Sequence, residues 1–228
     1  MLDVFCQSVK RCWGNELSGQ ELLTHIYSFG KLVITSLASA FFRCIGLVYV
    51  PKTLPSSVTI IQSIFNNCYG AAFNPDVTNW DVSKVTDMSF MFYNCLGAAL
   101  NPNVSTWDVS KVTDMSYMFR GCSHQNFRGG RGVDGIGIAK WIPKSLLTGA
   151  TTGLANFMLS ARVQDAAYLD SILNAWAALI GDPVNPLPAN ITATFPANQP
   201  YNGSVSGAAL TALAAHGWAI STLIDTGN

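Results

Sequence analysis

Two pairs of aspartates recur at one interval. Asp81 and Asp108 lie 27 residues apart, and so do Asp87 and Asp114. Paired carboxylates can carry the acid–base work of glycoside hydrolysis when a fold sets them across a glycosidic bond. Trp80 and Trp107 recur beside the first pair. If exposed, such aromatics could form a strip on which sugar rings stack. A structural reading competes with each. Asp81 and Asp108 are each followed three residues later by a lysine, Lys84 and Lys111. That pattern suits aspartates that cap turns beneath a surface charge ladder. Recurring tryptophans also commonly pack along a core edge. The aspartates are read as turn caps. Trp80 and Trp107 are kept as candidate contact residues.

Other motifs carry less. GGRGVDGIG, residues 129–137, matches a calcium-binding nonapeptide, but that site takes ligands from successive copies and the chain has one. Gly130, Gly132 and Gly135 spell G-x-G-x-x-G. With no strand before it and no convincing helix after it, a dinucleotide site is not expected. The stretch 123–137 reads as a Gly-rich loop. Arg120, Arg128 and Arg131 make it a candidate contact loop for an anionic surface or a neighbouring subunit. His25, His124 and His216 are widely separated and have no metal-ligand spacing. G-x-S-x-G, P-loop and H-E-x-x-H motifs are absent from the sequence. The expectation is a non-enzyme with no catalytic, cofactor-binding or metal-ligating residue and no cofactor. A glycan-active enzyme using the Asp pairs and tryptophans is the second alternative.

What would position these residues is a repeat. NWDVSKVTDMSFMFYNC at 79–95 returns as TWDVSKVTDMSYMFRGC at 106–122. Phe41, Phe65, Phe92 and Phe119 form one column, each followed three residues later by Cys44, Cys68, Cys95 or Cys122. Ile34, Val58, Val85 and Val112 precede them by seven residues, and Thr35, Thr59, Thr86 and Thr113 come next. Thr151–Ala161 reads as a degraded fifth copy. A unit of this size cannot bury its own apolar face, but stacked units can. The expected fold is therefore an α/β repeat solenoid. It is a short leucine-rich-repeat-like stack of four to five coils with a helical N-terminal cap and an α/β C-terminal cap. The division is 1–30 as cap, 31–165 as solenoid with the Gly-rich loop 123–137, and 166–228 as the C-terminal cap. The Phe rings should lie over one another. The cysteines should be buried thiols bonded to turn carbonyls.

The caps have their own signals. Ser18 and Glu21 form a capping box, predicting a helix over about 19–27. Leu169, Ile172, Leu173, Trp176 and Ile180 share one helical face, which Gly181 and Pro183 should terminate. Residues 191–195 alternate and read as a strand. Ser206 should cap a second helix running to His216, and 218–223 should be a final strand.

Composition bounds the partners. Hydrophobic residues make up 49% of the 228, charged residues 11%, and the formal net charge is zero. Few charges and no net repulsion protect poorly against self-association, so neighbouring proteins, including further copies of the chain, are expected partners. The basic residues form no stripe, which argues against nucleic acid. The apolar run 32–50 contains Arg43 and follows the repeat register, so no membrane span is expected. Asp3 precedes the apolar residues and the basic ones follow them, so residues 1–11 are not expected to act as a signal peptide.

AFFRC, LPSSVT and IFNNC resemble the BspA-type leucine-rich repeat. The WDVSKVTDMSxMFxxC units resemble the related repeat of about 25 residues found in mycoplasma and other bacterial surface proteins and in some phage and virus proteins. The resemblance runs from about 29 to 122. It implies a surface or adhesive role and brings no catalytic residues. The reading is a non-enzymatic structural or adhesive protein, expected in a phage or viral virion as a decoration, tail or fibre-associated subunit. It would touch other virion proteins or a host-surface protein or glycan. The alternative is a bacterial cell-surface adhesin of the BspA type.

Overall fold

The computed structural model describes residues 23–31, 33–123, 137–147, 149–161 and 166–226. All regular elements among them lie after residue 136. A short 3-10 turn, Gly137–Lys140, comes first. Then follow β1 (Gly149–Leu154), α1 (Ala166–Ala177), β2 (Ile191–Tyr201), α2 (Gly203–Ala215) and β3 (Ala219–Asp225). The strands form one parallel sheet in the order β1-β2-β3.

This corrects the expected fold class. Among the described residues there are two α-helices and a small three-stranded sheet, not a leucine-rich-repeat-like stack of four to five coils. Between 33 and 123 there is neither helix nor strand, only turns joined by isolated parallel bridges. Ser36 bridges Ile60, Ile60 bridges Asp87, Asp87 bridges Asp114, and Asp114 bridges Gly153 in β1. The physical reason lies just after each bridge. Amides of alternate residues point to the next segment: Ile61 donates to Asp87 O, Ser63 to Ser89 O, Phe65 to Met91 O and Asn67 to Tyr93 O, all at 2.8–3.0 Å. The amides between them turn back on their own segment, as Ile64 to Ile61 O and Asn66 to Ser63 O. A strand would send those intermediate amides to the opposite neighbour. Here successive three-residue turns consume them, so no ladder extends.

The turns need left-handed backbone at two places per segment. These are Ser39 and Arg43, Ser63 and Asn67, Phe90 and Asn94, Tyr117 and Gly121, and Asn156 and Ser160, with φ between 53° and 77°. The same pattern of amides recurs at each: Phe90 donates to Ser116 O and Tyr117 to Ala155 O. Before the bridge the direction reverses. Thr59 N donates to Thr35 O, Thr86 N to Thr59 O and Thr113 N to Thr86 O, each at 2.8 Å. The threonine hydroxyls share the same acceptors at 3.0–3.3 Å.

Within this scaffold the phenylalanine rings are neighbours, as expected. Phe41–Phe65, Phe65–Phe92 and Phe92–Phe119 have ring centroids 5.7, 5.4 and 5.4 Å apart. Phe157 closes the row edge-on to Phe119 at 5.5 Å. All five rings are buried, with Val58, Val85 and Val112 beside them.

The N-terminal helix expected over 19–27 is also corrected for its described part. Residues 23–27 are extended, and His25 bridges Tyr49 in parallel. Ile26 N donates to Tyr49 O at 3.0 Å, while Val48 N and Tyr49 N both donate to Thr24 O. Tertiary pairing has overridden the local capping signal there.

After 160 the expected order of helix, strand, helix, strand is present. Leu169, Ile172, Leu173 and Trp176 are the buried stripe of α1. The cap of α2 is Asn202, not Ser206. Asn202 Oδ1 accepts from Ser204 N at 3.0 Å. Ser206 lies inside the helix and donates to Asp170 Oδ1 at 2.6 Å. Asp170 is 5% exposed and also accepts from Asn202 N at 3.1 Å, tying α1 to the start of α2.

Close backbone approach is clearest at Gly70 and Gly97. A Cβ on Gly70 would stand 1.9 Å from Ile45 O, and one on Gly97 would stand 2.4 Å from Gly70 O. Only the missing side chain lets these segments meet. Gly97→Ala should therefore lower stability by about 1–3 kcal/mol, the usual cost of overpacking. Urea unfolding followed by circular dichroism checks it; an unchanged midpoint would show that the contact is not constraining.

Candidate contact surface

The contact residues proposed from sequence separate once placed. Trp80 and Trp107 are 3% and 4% exposed, so neither offers a ring to a partner. This corrects their proposed role. Each indole N–H donates to a carbonyl of the preceding segment: Trp80 to Pro51 O at 2.8 Å and Trp107 to Val77 O at 3.0 Å. Trp141 continues the set, donating to Val104 O at 2.8 Å and lying parallel to Trp107 at 6.3 Å. Its interval from Trp107 is longer than the repeat, which hid its membership. Arg128 and Arg131 lie outside the described residues, as does most of the Gly-rich loop.

Arg120 is half-buried at the surface. Its guanidinium stands 5.4 Å from the Tyr117 ring centroid and 5.9 Å from that of Tyr93. Tyr117 stacks on Phe90 at 4.5 Å with an interplanar angle of 4°. Phe90 meets Tyr93 at 5.6 Å. Four residues, Phe90, Tyr93, Tyr117 and Arg120, thus make an outward patch of half-buried rings under one cation. Sequence reading found Arg120 and missed the rings, because the aromatic columns drew attention inward. The missed signal is that Phe90 and Tyr117 share a repeat position that is serine in earlier copies.

That position is costly for a ring. Phe90 and Tyr117 hold φ of 56° and 60°. Left-handed backbone costs an ordinary L-residue roughly 1–2 kcal/mol, and bulky residues there are unusual. Residues in such conformations cluster at functional sites.

Each of the four aspartates is engaged in a local turn. Asp81 Oδ1 accepts from Ser83 N and Asp108 Oδ1 from Ser110 N, each at 3.0 Å. The side-chain and backbone hydrogen bonds from Ser83 and Ser110 hold both carboxyls below their ordinary range, with Lys84, Lys111 and Lys144 contributing less. Asp87 and Asp114 cap Ser89 N and Ser116 N in the same way. These are turn caps. Among the described residues no group of three His, Cys, Asp or Glu could hold a metal ion. No described helix is long and apolar enough to cross a membrane.

The cysteines behave as core. Cys68, Cys95 and Cys122 are free, 0% exposed, and donate to Phe41 O, Phe65 O and Phe92 O at 3.0 Å. These short bonds go to the preceding segment, and Cys95 also makes a longer one to Tyr93 O in its own turn, at 3.9 Å. Cys44 is disulfide-bonded, so the expectation of a thiol is corrected at that position. Burial pushes Cys68 and Cys122 up to about 12, and raises Cys95 as well.

Two outcomes follow. The three thiols should resist iodoacetamide in the native chain and react once urea unfolds it, as intact-mass measurement would show; labelling of the folded chain would contradict their burial. A thiol in the unfolded chain ionises near 9, whereas the buried ones hold their protons to about 12. The unfolded state therefore binds fewer protons in that window, and stability must fall as pH rises from about 9 toward 12. Urea midpoints at pH 8 and pH 10.5, with and without Cys→Ala at 95, test the sign.

Residues 35–129 match the family described as "Mycoplasma protein of unknown function, DUF285". The match covers less than half of the chain. No curated protein and no solved structure matches. Over that stretch the chain is similar to a Mycoplasma-type repeat family whose description assigns no activity.

Proposed function

We propose that the protein is a non-enzymatic contact protein of an exterior surface. The observation that carries this reading is the outward patch of Phe90, Tyr93, Tyr117 and Arg120, where rings are held at an unfavourable backbone position under a cation. Aromatic and arginine side chains are the types enriched where proteins bind partners. Turn capping by Asp81, Asp108, Asp87 and Asp114 supports the non-enzymatic side of the reading. The mechanism is multivalent: one shallow patch holds weakly, and many copies on one particle hold well.

Two settings fit. Zero net charge and low charge content support a packed particle, in which the chain is a virion component touching its neighbours or a host. The other setting is a bacterial cell surface: the family description names a bacterial source, and AFFRC and IFNNC suggest a kinship to BspA-type adhesins. Both use the same patch.

The test is retention of the full chain on bacterial cells when coupled to fluorescent beads. Dense beads should bind at least tenfold better than sparse ones, and Arg120→Ala with Tyr117→Ser should reduce dense-bead retention by at least tenfold, since losing roughly 1.4 kcal/mol at one contact is already tenfold and linked contacts compound it. Failure of dense beads to bind any cell type tested, or unchanged binding by the double variant, would count against the proposal. Hydrolysis of a glycan by the chain, lost in an Asp81→Asn, Asp108→Asn variant, would replace it with the enzyme reading.

A further inference from the structure

The aromatic row on the outer face stops abruptly. Its positions, related by the same forward amide bonds, are Ser39, Ser63, Phe90, Tyr117 and Asn156. One face of Phe90 is covered by Tyr117 at 4.5 Å. The opposite face looks toward Ser63, whose side chain is too short to reach across a ring. Adjacent segments stand about 4.8 Å apart, as parallel-bridged backbones do. The space over Ser63 is therefore at least one ring thick, with the short side chain of Ser39 beyond it.

Polar side chains border that space. Asn66 Nδ2 donates to Ser63 Oγ at 3.4 Å, Asn67 Nδ2 to Asn66 Oδ1 at 2.6 Å, and Asn94 Nδ2 to Asn67 Oδ1 at 2.7 Å. Tyr93, at the position equivalent to Asn66 in the next segment, lies beside the ring. A flat apolar ledge with amides and hydroxyls at its rim suits a ring that is apolar on its face and polar at its edge. A protein anchor would want a closed, fully desolvated pocket, and this site is shallow, with Phe90 only half-buried.

We propose that the face of Phe90 above Ser63 is a stacking subsite for a hexopyranose ring of a glycan. The C–H face of the sugar would lie on Phe90, continuing the Phe90–Tyr117 row by one ring. Its equatorial hydroxyls would meet Ser63, Asn66 and Tyr93 at the rim. The inference rests on the contact reading above and names its ligand class. It also accounts for an aromatic residue at a left-handed position that is serine in the two preceding segments.

Saturation-transfer NMR on the full chain tests it, with methyl glycosides of glucose, galactose, mannose and N-acetylglucosamine and their short oligosaccharides as probes. At least one should show transfer. Phe90→Asn removes the ledge with a residue that tolerates φ near 56°. Ser63→Tyr fills it, at a position where Tyr117 shows that a tyrosine is accommodated. Both variants should weaken binding about tenfold or more, while Tyr27→Ser, which alters an exposed ring elsewhere, leaves it unchanged. Urea midpoints establish that Ser63→Tyr is folded. No transfer to any probe, or wild-type binding by Ser63→Tyr, overturns the sugar subsite. If beads still hold to cells through Arg120 and Tyr117 while no sugar binds, the contact reading survives and the glycan does not. If Ser63→Tyr abolishes capture of a surface protein instead, the ligand class is wrong.

Discussion

The forward amide row is the interaction on which everything else depends. In each turn-rich segment, alternate N–H groups leave the segment and reach carbonyls of the next. The amides between them close turns within the segment. Every buried backbone donor must find an acceptor, and this arrangement supplies acceptors on two sides at once. It fixes the spacing between segments, the left-handed residues in each turn, and the direction of every side chain that follows.

The inward consequences are the phenylalanine row, the thiol row and the tryptophan row. Phenylalanine rings meet because their backbones are tied amide to carbonyl at the same step, as Phe65 N to Met91 O and Phe92 N to Met118 O. Tryptophan indoles and cysteine thiols then add bonds to carbonyls such as Val77 O, Phe41 O and Phe65 O, which already accept a turn amide. Polar atoms inside are therefore structural. The outward consequence is a surface on which side chains stand in register but are free to differ. Ser63, Phe90 and Tyr117 occupy equivalent backbone yet make a step in the surface.

The columns at Phe41, Phe65, Phe92 and Phe119 were legible because identical residues recurring at nearly equal intervals require similar surroundings. The role of Asp81 and Asp108 as caps was legible because an aspartate two residues before a serine closes a turn locally. The stripe of α1 and the strand from Ile191 were visible from periodicity alone. The extended path of 23–27 was not, because its partner, Tyr49, is distant in sequence. The cap of α2 was misplaced by four residues, since Ser206 carries a capping side chain but gives it to Asp170 on α1. Burial of Trp80 and Trp107 was undecided in the sequence, which gives a recurring aromatic the same appearance inside or out.

The amino-acid order by itself determined which residues are equivalent, that some apolar columns must share a core, and that the chain carries little charge for repelling or attracting partners. These follow from periodicity and composition, which need no coordinates. Only the tertiary structure decided that the equivalent segments meet through single bridges and turns, that the tryptophans face inward, and that Phe90 ends an outer row above a serine. Those outcomes hang on which neighbour each amide chooses. Local residue types leave that choice open, because a turn and a ladder compete for the same N–H groups.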